Sequence, residues 1–157
     1  MTRQKQHDQQ EEEEGSLHDS RYLLFKLHGE AYAAPLVQVR EVIKIPKIKP
    51  VPHSPKHMKG VMNLRGQIIT VFDLRTKLGL PAQAADAPGL ILVVDTDHGS
   101  IGALVDSVES VQEIPQSEIA ESSSGKEPVA KHASGLVLII DLSAQFPKFE
   151  ISHSEAA

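Results

Sequence analysis

The 157-residue chain contains no cysteine and no tryptophan. The first absence excludes disulfides, thiolate metal sites and cysteine nucleophiles, and it suits a reducing compartment. With aromatics at only 4%, a core has to be built mainly from Val, Ile, Leu and Ala. No apolar run approaches the roughly 18 to 20 residues of a spanning helix. The early basic residues of "MTRQKQHDQQEEEEGSLHDS" are not followed by the apolar stretch of a secretory signal. The expectation is a soluble, cytoplasmic protein with no direct membrane insertion. A last scarcity is local: from Val42 to Phe72 there is no Asp or Glu.

That window holds six cations, Lys44, Lys47, Lys49, Lys56, Lys59 and Arg65, while the whole chain carries −5, so the remainder carries −11. Such a dipolar chain steers toward an acidic protein surface. Nucleic acid fits less well, because the window is Pro-rich and offers one aromatic, Phe72, as a stacking platform. Residues 1–19 hold a single Leu among Gln, Glu, His and Asp, too little apolar area to offset the entropy of ordering. They are expected to form a disordered acidic tail, with Glu11 to Glu14 a solubilising run. One domain is expected over 20–149, followed by a short C-terminal tail over 150–157.

Within the domain, "YLLFKLHGEAYAAPL" alternates as a half-buried strand and turns at Gly29. In "LVQVREVI", Leu36, Val39 and Val42/Ile43 recur at helical spacing after Pro35, which predicts a short helix ending before Pro46. Prolines at 46, 50, 52 and 55 make the next segment an edge strand and loop. "GVMNLRGQIITVFD" reads as two strands broken at Arg65-Gly66, and "LRTKLGLP" as a short helix that Asp73 N-caps and Gly79 and Pro81 close. "AQAADAPG" is a linker that hints at two halves. "LILVVD", "SIGALVDSVESVQEI" and "GLVLIIDL" are strands, the first and last buried on both faces, with "DTDHGS" a hairpin turn. "ESSSGKEPVAKHAS" is read as a long loop. Many short strands and few short helices define an all-β domain of barrels or sandwiches.

Reaction chemistry finds little support. His53 and His57 are four apart, but Pro55 interrupts any helix that would align them, and no acidic residue from Val42 to Phe72 completes a metal shell. "SSSGKEP" lacks the earlier glycine and the following Ser or Thr of a phosphate loop. No serine has the flanking glycines of a nucleophile elbow. Asp95, Asp97 and Asp106 could be paired carboxylates, but their setting in a hairpin turn and its return strand points to turn chemistry. No cofactor and no metal are expected. Arg65 before Gly66 stays open among a plain turn, an anion site and a partner-binding corner.

Taken in order, "VQVREVIKI", "PKHMKGVMNLRGQIITVFDLRTKLGL", "LILVVD" and "IGALVDSVESVQEIP" resemble the CheW family of chemotaxis adaptors, from about Tyr22 to about Phe146. The resemblance implies two small five-stranded barrels around a shared core, with short helices. It also implies a non-enzymatic bridge between the cytoplasmic tip of methyl-accepting chemoreceptors and the regulatory domain of a CheA-type histidine kinase. Carried over residue by residue, the receptor-facing corner is Arg65 of "NLRG" with Glu41 of the helix before it, helped by Gly66 and Val39, while Asn63 braces the turn. Val105, Val108 and Val111 belong to core or to a barrel edge that pairs with the kinase. Thr70 departs from the proline frequent in the family, the stretch from Glu121 to Ser134 copies the late strand poorly, and the acidic tail is not a family feature. The competing reading is a small-ligand-binding β-domain with a pocket between its halves. Against it, the polar groups that would orient a ligand are not concentrated at any one cleft.

Overall fold

The computed structural model describes residues 20–84, 86–121, 128–132 and 135–146. The two expected tails lie outside them. Among these residues eleven strands form: β1 (Arg21–Leu27), β2 (Glu30–Pro35), β3 (Val39–Lys44), β4 (Met58–Leu64), β5 (Gln67–Asp73), β6 (Leu90–Thr96), β7 (Gly99–Val105), β8 (Ser107–Glu113), β9 (Ile119–Ala120), β10 (Val129–His132) and β11 (Gly135–Ile139). Two one-turn helices, α1 (Leu74–Lys77) and α2 (Leu142–Gln145), follow Asp73 and Asp141, whose side chains accept N-cap hydrogen bonds from Arg75 N and Ala144 N.

The strands make two sheets, one in the order β8-β1-β2-β11-β10-β9 and one in the order β3-β6-β7-β5-β4. The all-β expectation holds. The strand count differs, six and five in place of two fives, and neither sheet closes by a full ladder among the described residues. The five-stranded sheet nevertheless curls until its edges nearly meet. β3 pairs with β6, and a few residues later Lys49 exchanges two 2.9 Å backbone hydrogen bonds with Val61 of β4. One run of chain thus belongs to both edges. Gly60 permits the approach, because a Cβ there would sit 2.1 Å from the Lys49 carbonyl oxygen.

Each sheet wraps its own apolar cluster, and a third cluster lies between the two. Tyr22, Leu24, Ala33, Ile114, Ala130, Val137 and Ile139 fill the six-stranded sheet. Met62, Ile69, Val71, Ile91, Val93 and Leu104 fill the five-stranded one. Leu23, Phe25, Leu27, Phe72, Leu92, Val94, Ile101 and Phe146 are among those in the shared core. β1 and β6 are therefore buried on both faces, successive residues serving different clusters. For β6 this is the pattern expected. For β1 it corrects the half-buried reading, because Tyr22 and Leu24 face an interior where solvent had been assumed. Among the described residues the phenylalanines, Phe25, Phe72 and Phe146, lie in the shared core, where Phe72 and Phe146 stack at 4.7 Å.

Three further expectations change. The helix predicted over Leu36 to Ile43 is a 3-10 turn at Leu36–Gln38 followed by β3. Alternating exposure and the β-branched Val39, Val42 and Ile43 win over a spacing too short to sustain helix. "SIGALVDSVESVQEI" is two strands, because the chain leaves one sheet for the other at Asp106. The segment read as a loop after Glu121 contains β10, held by β9 and β11; residues 122–127 and 133–134 lie outside the described ones.

The division into halves also moves. The "AQAADAPG" linker joins strands of one sheet, since β6 and β7 pair with β3 and β5. The crossings between sheets are Leu36–Gln38 and Asp106, and each is pinned by polar contacts. Gln38 donates to Asp141 at 2.7 Å and accepts from Leu142 N at 2.9 Å. Asp106 accepts from His28 N at 2.8 Å, from Arg75 Nε at 2.7 Å, and from Arg75 Nη2 as well.

Candidate partner-binding corner

The β4–β5 hairpin turns on two residues, Arg65 at φ 50 and Gly66 at φ 87, with Leu64 paired to Gln67. Two successive positive φ values define the mirror-image turn that matches strand twist, where Asn-Gly is the favoured sequence. Glycine takes that backbone freely, whereas an arginine in it is strained. Asn63 braces the corner as expected, its Oδ1 accepting from Gly66 N at 2.8 Å. The strained position therefore carries a long cation where a small residue would fold more easily.

Arg65 Nη2 donates to Glu41 Oε2 at 2.6 Å. Glu41 sits on β3, a strand where the resemblance implied a helix, and the contact crosses from one edge of the five-stranded sheet to the other. The Arg65 side chain is 66% exposed and that of Glu41 27%. The hydrogen bond from Arg65 holds the Glu41 carboxyl below its ordinary value, and Glu41 in turn raises Arg65. Only one nitrogen and one oxygen of the pair are used among the described residues. The remaining guanidinium donors point from a rigid turn and can take a second carboxylate in a planar fork.

Val39 is half-buried and packs against the shared core, so it contributes more to the base of the corner than to its surface. Next to Glu41, where the β3–β6 register shifts, Arg40 binds Asp95 Oδ1 at 2.9 Å and also contacts Ser100 Oγ, which itself donates to Asp95 at 2.8 Å. The Arg40 hydrogen bond, then that of Ser100, lowers the Asp95 carboxyl. Asp95 is thus a strand residue with a cation partner. The hairpin turn itself is Asp97 and His98, closed by Thr96 Oγ1 to Gly99 O at 2.6 Å.

The valines assigned to a kinase-facing edge separate. Val105, at 1% exposure, lies in the core, the first of the two places read for these valines. Val108 is half-buried against the shared core. Val111 is 49% exposed on β8, and β8 is an edge strand of the six-stranded sheet. His53 is exposed in its loop, and His57 stacks on Phe72 at 5.7 Å. Among the described residues no three of His, Asp and Glu are grouped to hold a metal, and no helix is long and apolar enough to cross a membrane.

Sequence reasoning missed the Arg75–Asp106 pair, whose side chains are 12% and 17% exposed. Burial raises the Asp106 carboxyl, but the Arg75 and His28 hydrogen bonds outweigh it, and the net shift is downward from 3.8. The available signal was the arginine of "DLR", placed on the first turn of a helix that Asp73 starts.

The structure is a double-sheet β domain with an exposed, strained arginine corner. A family model for the CheW-like domain matches residues 21–149, and the chain belongs to the CheW-like family of chemotaxis scaffold proteins. It is 30% identical over 134 residues to the chemotaxis protein CheW of Bacillus subtilis, covering 80% of this chain and 86% of that one. A probable chemotaxis protein CheW of Rhizobium etli matches at 30% over 93 residues, 59% of this chain and 60% of that relative. The solved scaffolding protein TtCheW of Thermoanaerobacter tengcongensis superposes with a TM-score of 0.75 at 28% identity, covering 82% and 92% of the two chains.

Proposed function

We propose that this chain is a non-enzymatic cytoplasmic adaptor that couples the tips of chemoreceptors to the regulatory domain of a CheA-type histidine kinase. The observation that carries the reading is Arg65, held at positive φ on a hairpin tip with a single side-chain partner, in a chain of the CheW-like family. A position where Asn would relieve strain keeps an arginine when its charge and reach are used. The receptor surface is the Arg65–Glu41 corner with Gly66 and the Val39 base. The kinase surface is the β8 edge, with Val111 the exposed apolar contact and Val108 supporting it from below.

The mechanism needs no covalent step. An adaptor that binds two partners at once turns their encounter into an intramolecular event, so receptor state reaches the kinase through the geometry of contacts. Arg65 docks a receptor carboxylate with its free donors, and Glu41 fixes the angle from which it does so. The experiment is co-sedimentation with receptor fragments and a CheA-type kinase. Arg65→Ala is expected to weaken receptor binding by roughly 30- to 1000-fold if the contact is central, with little change in kinase binding. Equal loss toward both partners with a lowered Tm would make Arg65 a structural residue. A melting shift with small metabolites and no co-sedimentation would favour a ligand-binding β-domain.

A further inference from the structure

The cations of the described residues fall into two groups. Lys26, Arg40, Arg65 and Arg75 each meet a carboxylate, and Arg21 and Lys77 are also engaged. Lys44, Lys47, Lys49, Lys56, Lys59 and Lys131 have no side-chain partner among the described residues. Four of these follow one line. Lys44 ends β3, Lys47 and Lys49 point outward where the chain passes Pro46, and Lys59 lies on β4 two residues from Val61, the partner of Lys49. Like charges this close repel one another and attract an anionic segment.

The complementary segment lies in the same chain. Residues 1–19 carry Asp8, Glu11, Glu12, Glu13, Glu14 and Asp19 against Arg3 and Lys5, a net −4. The tail leaves the domain beside Tyr22, which pairs with Pro35. From Pro35 the turn and β3 carry the chain to Lys44 over at most roughly 30 Å, at about 2 Å per 3-10 residue and 3.3 Å per strand residue, plus one strand spacing. An extended tail reaches roughly 27 Å from Tyr22 to Glu14 and about 37 Å to Glu11. The acidic run therefore spans the distance to the near end of the lysine line.

We propose that this lysine strip is a docking surface for acidic polypeptide and that its resident occupant is the chain's own Glu11–Glu14 run. Exposed ion pairs are individually weak. Tethering supplies a high local concentration, so several weak pairs suffice, and salt dissolves them. An acidic segment of another protein then reaches the strip only in competition with the tail. This goes beyond the adaptor reading and does not depend on which partners that reading names.

The chain's lack of cysteine makes the test direct, since Ser16→Cys in the full chain provides a single thiol for a nitroxide label. At low salt the amide signals of Lys44, Lys47 and Lys49 are expected to lose intensity selectively, and that of Lys59 to a lesser degree. Lys131, a cation of the other sheet with no partner among the described residues, is expected to lose none. The signals should return at roughly 0.5 M salt, where screening is short-ranged, and when Glu11, Glu12, Glu13 and Glu14 are all changed to Gln. Broadening spread evenly over the surface, centred on Lys131, or unchanged in the glutamine variant would overturn the proposal. So would broadening carried between molecules in a mixture of spin-labelled and isotope-labelled protein, which would place the tail on a second copy.

Discussion

Two arginine–carboxylate pairs in this molecule use the same chemistry for opposite ends. Arg75 meets Asp106 through two nitrogens, with a backbone N–H adding a third contact, where the chain crosses between sheets. Arg65 meets Glu41 through one nitrogen on a strained, exposed turn. In the first pair nearly every polar atom is satisfied inside the fold, so the pair joins. In the second most donors are spare, so the arrangement is suited to recruiting a partner. Burial and saturation, more than residue identity, separate a brace from a docking point.

The comparison breaks most visibly at the brace. Asp106→Asn leaves Arg75 poorly paired and is expected to cost about 2 to 4 kcal/mol, somewhat below the range for fully buried pairs. For a chain of this size that lowers Tm by roughly 4 to 16 °C, read by calorimetry, with receptor binding of the folded fraction unchanged. The loss should also depend on pH. The folded Asp106 titrates below 3.8, so the pair's contribution is complete above the ordinary carboxylate range and is lost as pH falls through the lowered value. The gap between parent and Asp106→Asn should therefore stay constant above about pH 5 and narrow in stronger acid.

At the corner the expected outcome reverses. Arg65→Asn puts the favoured residue into the mirror-image turn and should raise Tm by roughly 2 to 5 °C, while receptor binding falls about as far as in Arg65→Ala. A variant both less stable and unable to bind would erase the distinction drawn between the pairs. A finer measurement follows the Glu41 carboxyl by NMR. Its midpoint should lie below 4.5 in the parent and return toward that value in Arg65→Ala. The smallest effect belongs to the tail: removing residues 1–18 should move Tm by no more than a degree or two, since surface changes rarely exceed about 0.5 kcal/mol.

Much of the fold was legible because β-strands announce themselves through alternation and turns through Gly and Asn. Arg65-Gly66 was placed at a strand break, and the N-cap role of Asp73 was read from one residue. The Leu36–Ile43 helix was misjudged because apolar spacings of three and four fit both a helical turn and a strand entered through a tight turn. The Asp106 brace was invisible because its partners, His28 and Arg75, lie 78 and 31 residues away, and no local pattern encodes such a meeting. The same holds for Gln38, which clamps Asp141 across 103 residues. Family likeness marked the corner, yet only the backbone angles give a physical reason for an arginine to be costly there.

The five-stranded sheet is fastened along its open side by the Lys49–Val61 residue pair and, farther down, by the Arg65–Glu41 contact. A seam with so few stitches breathes before the rest of the domain does, and its amides exchange first. Any protein that seats a carboxylate on the spare donors of Arg65, while Glu41 keeps its hold, tightens one of those stitches. Occupancy of the corner is then written into the firmness of the neighbouring strand, a change of order that can travel without a change of shape.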